Sequence, residues 1–429
     1  MLPEKLQQEL DSMVLVASKQ NYQLNSMTLY NYYAAQSSGV KAEIELSEME
    51  DYLAQKNVQI VSDGVDIDEE PDDGEIAIHP FDPSKIDISL QNITIDGLVK
   101  RIRNQEINLN TKFQRKAGLW SRQQKSRLIE SLLLKIPLPA FYFDAQSEDN
   151  WLIIDGLQRI TAFKEFMVNE NAPLLLDGLE FFCDFNGLRY SQLPRPFQRR
   201  IEETNLVVYT VRRGTPDNVK YNVFKRINTG GLELTPQEIR HALFQGKATD
   251  LLFALSRSDT FIKTTAGSIR TDRMLDQEFV LRFIAVCFYG VDKYSGISDD
   301  FLNDAMKEIN RMDTAQIEKI RLRFDEVMVL AEKIFGRHAF RKMGADGNRR
   351  PINKAVFEIW CKAMFDLSEQ EAACMIEHQS KICQEFIKLC GTDSFANLLR
   401  ASDRNSYKRR FIEVESIFKK FKSTAREVC

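Results

Sequence analysis

Apolar residues recur at helical spacing along most of the chain and show strand-like runs in only a few short stretches. Residues 121–135 place Leu128, Ile129, Leu132 and Leu133 on one helical face, with Ser121 and Gln124 set as the two partners of a capping box. Pro137 and Pro139 stop that helix. Two short strands are expected next, at 140–143 and 151–154, joined by the polar segment 144–150. Helical spacing then resumes in Ile160, Phe163, Phe166 and Met167. Strand signals at 179–182 and 206–211 complete a small mixed sheet, with no run of βαβ units long enough for a doubly wound fold.

From Thr215 onward the pattern is almost wholly helical. Tyr221, Phe224 and Ile227 precede the paired Gly230 and Gly231, which can end a helix, and Thr235-Pro236-Gln237-Glu238 has the form of the next helix start. Further helices are expected over 276–289, 299–309, 314–335, 352–365, 368–389 and 407–421. At the other end, Leu6, Leu10, Met13, Val14 and Val16 mark one helix, and Ser47 with Glu50 starts another over 47–55. Val58, Ile60 and Val61 fit a short strand. The expected fold class is α+β: a small helical acidic unit (1–62), a linker (63–80), a small mixed-sheet domain (81–214) and a mostly helical domain (215–429).

Composition adjusts this picture in two ways. Residues 63–75 hold eight acids in thirteen positions, whose mutual repulsion reads as a solvated linker. Net charge is −4, yet residues 1–80 carry 16 acids against 4 bases, leaving a basic body behind an acidic head. A basic body suits a polyanionic partner such as nucleotide or nucleic acid. No apolar run reaches the ~20 residues of a membrane span, and the N-terminus carries charge where a signal peptide carries its apolar core. A cytoplasmic protein is expected. Its seven cysteines lack any Cys-x-x-Cys pair and read as reduced core thiols.

Chemistry concentrates at Ile153-Ile154-Asp155-Gly156-Leu157-Gln158-Arg159. An apolar strand ends in Asp-Gly and a helix opens at once, so free backbone N–H groups and the positive helix end meet at the turn. Phosphate fits there; Arg159 can add a bidentate contact, and Asp155 can hold a metal or polarise water. The bland alternative is a tight turn in which Arg159 pairs with Asp155. A second group is Phe113-Gln114-Arg115, with Trp120 and a helix carrying Lys125 and Arg127. A third is Arg226 and Asn228, which helix capping leaves unexplained. Basic residues at 337–350 (Arg337, Arg341, Lys342, Arg349, Arg350) and in the tail (Arg404, Lys408, Arg409, Arg410, Lys419, Lys420, Lys422) offer a nucleic-acid face or an ordinary helix surface.

Taken in order, Phe113-Gln114-Arg115, Asp155-Gly156-Leu157-Gln158-Arg159 and Arg226-Ile227-Asn228-Thr229-Gly230-Gly231 with Glu238-Ile239-Arg240 resemble the N-terminal domain of the GmrSD restriction endonucleases, in the ParB/sulfiredoxin-like superfamily. The likeness covers about residues 90–250 and extends toward 360 through Arg349-Arg350-Pro351-Ile352-Asn353-Lys354. It implies nucleotide binding and hydrolysis, with NTP and Mg2+, in bacterial restriction or phage defence. Asp155, Gln158 and Arg159 would be catalytic, Asp155 would hold metal, and Gln114, Arg115, Gly156, Arg226 and Asn228 would bind nucleotide. Leu157 stands where the family has Gln. The four histidines (His79, His241, His338, His378) occur in no His-Asn-His nuclease context, so a stand-alone form is expected, in which any cutting of DNA falls either to the middle domain or to a separate subunit. Two alternatives stay open: a non-catalytic regulatory module whose acidic head mimics nucleic acid for its own groove or a transcription partner, and a metal-dependent DNA endonuclease.

Overall fold

The computed structural model describes residues 4–18, 23–25, 49, 52–53, 56, 58–61, 65–66, 87–108, 120–147, 150–212, 215–227 and 234–426. The chain groups into two units, 78–243 and, together, 1–77 with 244–429.

The sheet unit begins with strand β1 (Ile88–Thr94), which runs directly into α1 (Ile95–Arg103). Thr94 caps this helix by accepting from the Gly97 N–H, and Ile95, Leu98, Val99 and Ile102 form its buried stripe. Next come β2 (Ile107–Asn108), α2 (Arg122–Leu133), β3 (Phe141–Ser147), β4 (Asn150–Asp155) and α3 (Leu157–Met167). The unit closes with α4 (Arg195–Glu202), β5 (Asn205–Arg212), α5 (Asp217–Ile227) and α6 (Pro236–Leu243). Ser121 and Gln124 form the expected reciprocal cap of α2, and Thr235 with Glu238 forms that of α6.

Five strands pair in the order β1-β5-β3-β4-β2. β1–β5 and β3–β4 are antiparallel, while β5–β3 and β4–β2 are parallel, so the sheet is mixed. One face carries Phe141, Phe143, Trp151, Ile153, Leu206 and Val208 into a core shared with the stripes of α1, α2 and α3. The opposite face buries Ile154 and Val211 under Tyr221 and Phe224 of α5 and Ile239 of α6. Both helices therefore group with the sheet, although the sequence reading placed its boundary at 214.

The strand expected at 179–182 does not form. Its backbone N–H groups instead meet one buried carboxylate: Glu130 of α2 accepts from Phe181 (2.7 Å), Phe182 (3.0 Å) and Glu180 (3.1 Å). Burial raises the Glu130 pKa, but the three N–H dipoles outweigh it and hold the carboxyl below its usual value. A side chain has taken the role of a neighbouring strand, which periodicity cannot reveal.

The other unit is helical: α7 (Lys247–Leu255), α8 (Asp259–Thr265), α9 (Leu275–Ile284), α10 (Ser298–Arg311), α11 (Thr314–Phe335), α12 (Lys354–Phe365), α13 (Glu369–Glu377), α14 (Gln379–Cys390), α15 (Asp393–Arg400) and α16 (Arg404–Arg426). A single helix was expected over 368–389; it breaks at His378 into α13 and α14. Its core contains a charged cluster. Arg282 bridges Glu278 and Glu358 at 2.8 Å each, Arg410 reaches Glu358 at 2.6 Å, and Lys354 lies 3.1 Å from Glu278. The acidic stretch is not wholly linker, because Val65–Asp66 pairs in parallel with Ile352–Asn353. Asn353 also caps α12 by accepting from Val356 N–H, so the segment 349–354 has a structural use. Ser47 and Glu50 lie outside the described residues. Of the cysteines, Cys287, Cys361 and Cys374 are buried, and Cys183 is exposed rather than in the core. Among the described residues no helix is long and apolar enough to cross a membrane.

Candidate functional site

β4 ends at the Asp-Gly turn, and its last step is irregular. Phe143 pairs with Ile153, but the next pair joins Tyr142 to Asp155, leaving Ile154 as an extra residue in a β-bulge. Bulges re-aim the side chain that follows them, and this one sets Asp155 opposite Tyr142. Tyr142 is in register with Tyr209 of β5, and the two rings stack at 4.9 Å with 13° between their planes. Burial raises the Tyr142 phenol pKa, with smaller contributions from Tyr209 and the nearby Asp155 charge.

Gly156 follows with φ at 103°, where side-chain-bearing residues are strained. Space forbids a side chain too, since a Cβ there would lie 2.4 Å from Phe141 Cδ1. The ring that crowds Gly156 is itself fixed in the core, so turn and core specify each other. Helix α3 then opens at Leu157 without any side-chain cap, which leaves its first N–H groups and positive end for an acceptor from outside the helix.

Arg159 turns back beneath the turn. Its Nη2 donates to Asp155 Oδ2 at 2.8 Å and to Ala140 O at 3.2 Å, its Nη1 donates to Pro139 O, and its guanidinium lies 4.2 Å from the Phe141 ring centre. Burial lowers the Arg159 pKa against the opposing pull of Asp155. Exposure separates the partners: the Arg159 side chain is 10 % exposed and that of Asp155 38 %. The pair is thus one fixed cation under a carboxylate that reaches solvent. Gln158 Oε1 accepts from the Trp120 N–H at 3.3 Å and ties the turn to the start of α2.

Asp155, Gly156, Gln158 and Arg159 therefore share one turn, in which Arg159 is paired with Asp155. Gln114, Arg115 and Asn228 lie outside the described residues, and Arg226 is described only as backbone near the end of α5. Both cations of the second group that the structure describes have internal partners: Lys125 meets both oxygens of Glu165 at 2.8 Å, and Arg127 meets Glu180 at 2.9 Å.

Periodicity did not disclose the buried polar group behind the sheet. Asp144 of β3 and Lys220 of α5 pair at 3.6 Å with both side chains almost fully enclosed. Gln237, Glu238 and Arg240 of α6 are buried as well, with Arg240 bonding Gln237 at 3.4 Å. The available signal was Lys220 standing between Val219 and Tyr221 in an apolar stripe. Tyr142 and Tyr209 were likewise missed, because their pairing depends on strand order.

The basic clusters divide. Arg341 is buried, donating to Arg350 O and Ser268 Oγ at 2.6 Å each, and Arg410 is part of the internal charge cluster. On the tail surface Lys408, Arg409, Lys419 and Lys420 face Asp292, Glu413, Glu415 and Glu385. Among the described residues no group of His, Cys, Asp or Glu could hold a metal by itself.

Neither a curated protein nor a solved structure matches the chain. Residues 95–245, which span α1 to the end of α6, match the family described as GmrSD restriction endonuclease, N-terminal domain.

Proposed function

We propose that the chain binds a nucleoside triphosphate at the Asp155–Arg159 turn and hydrolyses it, as the nucleotide-driven part of a bacterial restriction or phage-defence activity on DNA. The observation that carries this reading is the bulged strand delivering a solvent-reaching carboxylate beside an uncapped helix start at a glycine that tolerates no side chain. An uncapped helix N-terminus attracts phosphate through its N–H groups and dipole. Asp155 fits as the single carboxylate of a Mg2+ whose other ligands are phosphate oxygens and waters, the usual manner in which that ion is held, and the ion would neutralise phosphate charge.

The chain's own residues divide the remaining tasks. Arg159 fixes Asp155 through Oδ2 and leaves Oδ1 for the ligand side. Gly156 supplies the left-handed backbone that joins the strand end directly to the uncapped helix start. Gln158, anchored through its carbonyl oxygen, retains an amide donor. Gln114, Arg115, Arg226 and Asn228 complete the nucleotide contacts in this reading. DNA would be met by exposed cations of the helical unit, among them Arg337 and Arg350.

Leu157 favours a second reading, in which the site binds without turnover, because a half-buried leucine replaces the family's polar residue. Phosphate release from each of the four NTPs separates the two, with wild type compared with Asp155→Asn. Turnover lost in the variant with affinity retained supports hydrolysis. No turnover in wild type, with intact affinity, supports the binding module, and no affinity for any NTP refutes both.

A further inference from the structure

The bulge sets Asp155 at one end of a row that crosses four strands. Asp155 of β4 is in register with Tyr142 of β3, Tyr142 with Tyr209 of β5, and Tyr209 with Leu90 of β1. With neighbouring strands ~4.8 Å apart, Tyr142, Tyr209 and Leu90 stand about 5, 10 and 14 Å across the sheet from Asp155. Helices α5 and α6 cover this face over Ile154 and Val211, and Tyr142 packs against the edge of that cluster. Beyond Tyr142 the row opens: Tyr209 is half-buried, Leu90 is 59 % exposed, and Val207 and Ile88 beside it are 39 % and 38 % exposed. Apolar side chains left grouped at a sheet surface usually mark a binding surface.

We propose that the Tyr142–Tyr209–Leu90 row is the base-stacking shelf of this site and takes the nucleobase of the triphosphate whose phosphates occupy the Asp155 turn. This rests on the reading given under Proposed function. The shelf is narrow and begins at a turn suited to an anion, so its occupant has a planar apolar part about one mononucleotide length from a charged part. A protein helix would need a broader apolar surface and would not need the adjoining carboxylate. The phenol oxygens of Tyr142 and Tyr209 have no hydrogen-bond partner among the described residues, which leaves them for ring nitrogens or sugar hydroxyls of the ligand. Stacking tolerates every base because each has a π-face, so the shelf adds affinity for the nucleoside and prefers the larger purine surface.

Titration calorimetry of the full chain with Mg2+, comparing ATP with inorganic tripolyphosphate, tests this directly. ATP is expected to bind wild type at least tenfold more tightly than tripolyphosphate. Tyr209→Ala should weaken ATP about tenfold, in line with the measured worth of one stacked base, and leave tripolyphosphate unchanged. Tyr209→Trp should retain ATP affinity. Leu90→Ser, at an exposed position that the fold does not require, should weaken ATP by a few-fold and keeps the test valid even where Tyr209→Ala unfolds. Equal wild-type affinity for the two ligands would overturn the shelf while sparing the phosphate site. A loss of both ligands alike in folded Tyr209→Ala would also overturn it, and no binding of either ligand to wild type would remove the phosphate site and the shelf together.

Discussion

Replacing Gly156 by alanine probes the turn at its tightest point. The backbone there sits at φ 103°, and the new Cβ would stand 2.4 Å from Phe141 Cδ1 and 2.9 Å from Cε1. The left-handed backbone costs a side-chain-bearing residue ~1–2 kcal/mol. Overpacking against a ring fixed in the core adds ~1–3 kcal/mol, because Phe141 cannot move without displacing Phe163 and the Arg159 guanidinium above it. The expected loss is therefore ~2–5 kcal/mol out of the ~5–15 kcal/mol that holds a typical domain. Hydrogen exchange of the β3 and β5 amides reads this loss within the sheet unit alone. Combining Gly156→Ala with Phe141→Leu should return ~1 kcal/mol or more of the steric part, so the double variant loses less than the two singles added. Strict additivity would show that crowding against Phe141 plays no part, and a Gly156→Ala loss under ~0.5 kcal/mol would show that neither strain nor crowding holds this turn.

Three more outcomes follow from buried charge. Glu130→Gln should destabilise the sheet unit by ~1–3 kcal/mol, since an amide cannot accept from all three N–H groups. Because the folded Glu130 carboxyl lies below its ordinary 4.5, its contribution is complete at neutral pH and disappears as pH falls through the folded value, and the variant's stability should lose that acid dependence. Asp276 is the reverse case. Burial, opposed by the Arg257 charge, lifts its carboxyl from 3.8 to about 6, so the folded state holds the proton more firmly and stability declines as pH rises from about 4 to 6. Asp276→Asn should remove that decline and stabilise the helical unit by up to ~3 kcal/mol above pH 6; melting curves of wild type and variant that run parallel from pH 4 to 7 would contradict the assignment. Glu358→Gln leaves Arg282 and Arg410 facing one another without their shared carboxylate and should cost ~3–5 kcal/mol, measurable as urea unfolding of the helical unit.

Legibility in the sequence followed the range of the interaction. Local signals read correctly: the caps at Ser121 and Thr235, the stop before Pro137, and the strand-to-helix turn at Asp155. The Arg159–Asp155 contact was foreseen as one of two readings, and the structure adds the asymmetry of exposure within it. What stayed hidden depends on strand order. Tyr142 and Tyr209 are far apart in the chain and meet only because β5 inserts between β1 and β3. Asp144 and Lys220 find each other through the same topology. The false strand at 179–182 had a strand's composition, but Glu130 offered its backbone a different partner. β1 and α1 went unread although Ile95, Leu98, Val99 and Ile102 have helical spacing.

The position of β5 also dictates when the sheet can exist. Gln91 of β1 meets Thr210 of β5 across 119 positions of chain, and β3 gains its parallel neighbour from the same late strand. A ribosome making this protein therefore releases the first strand long before its partner is synthesised, with Ile88 and Leu90 unpaired and open to self-association. Assembly governed by such distant pairing is slow, so chaperone dependence should exceed that of an all-helical chain of equal length, and cold, slow expression should raise the yield of native protein.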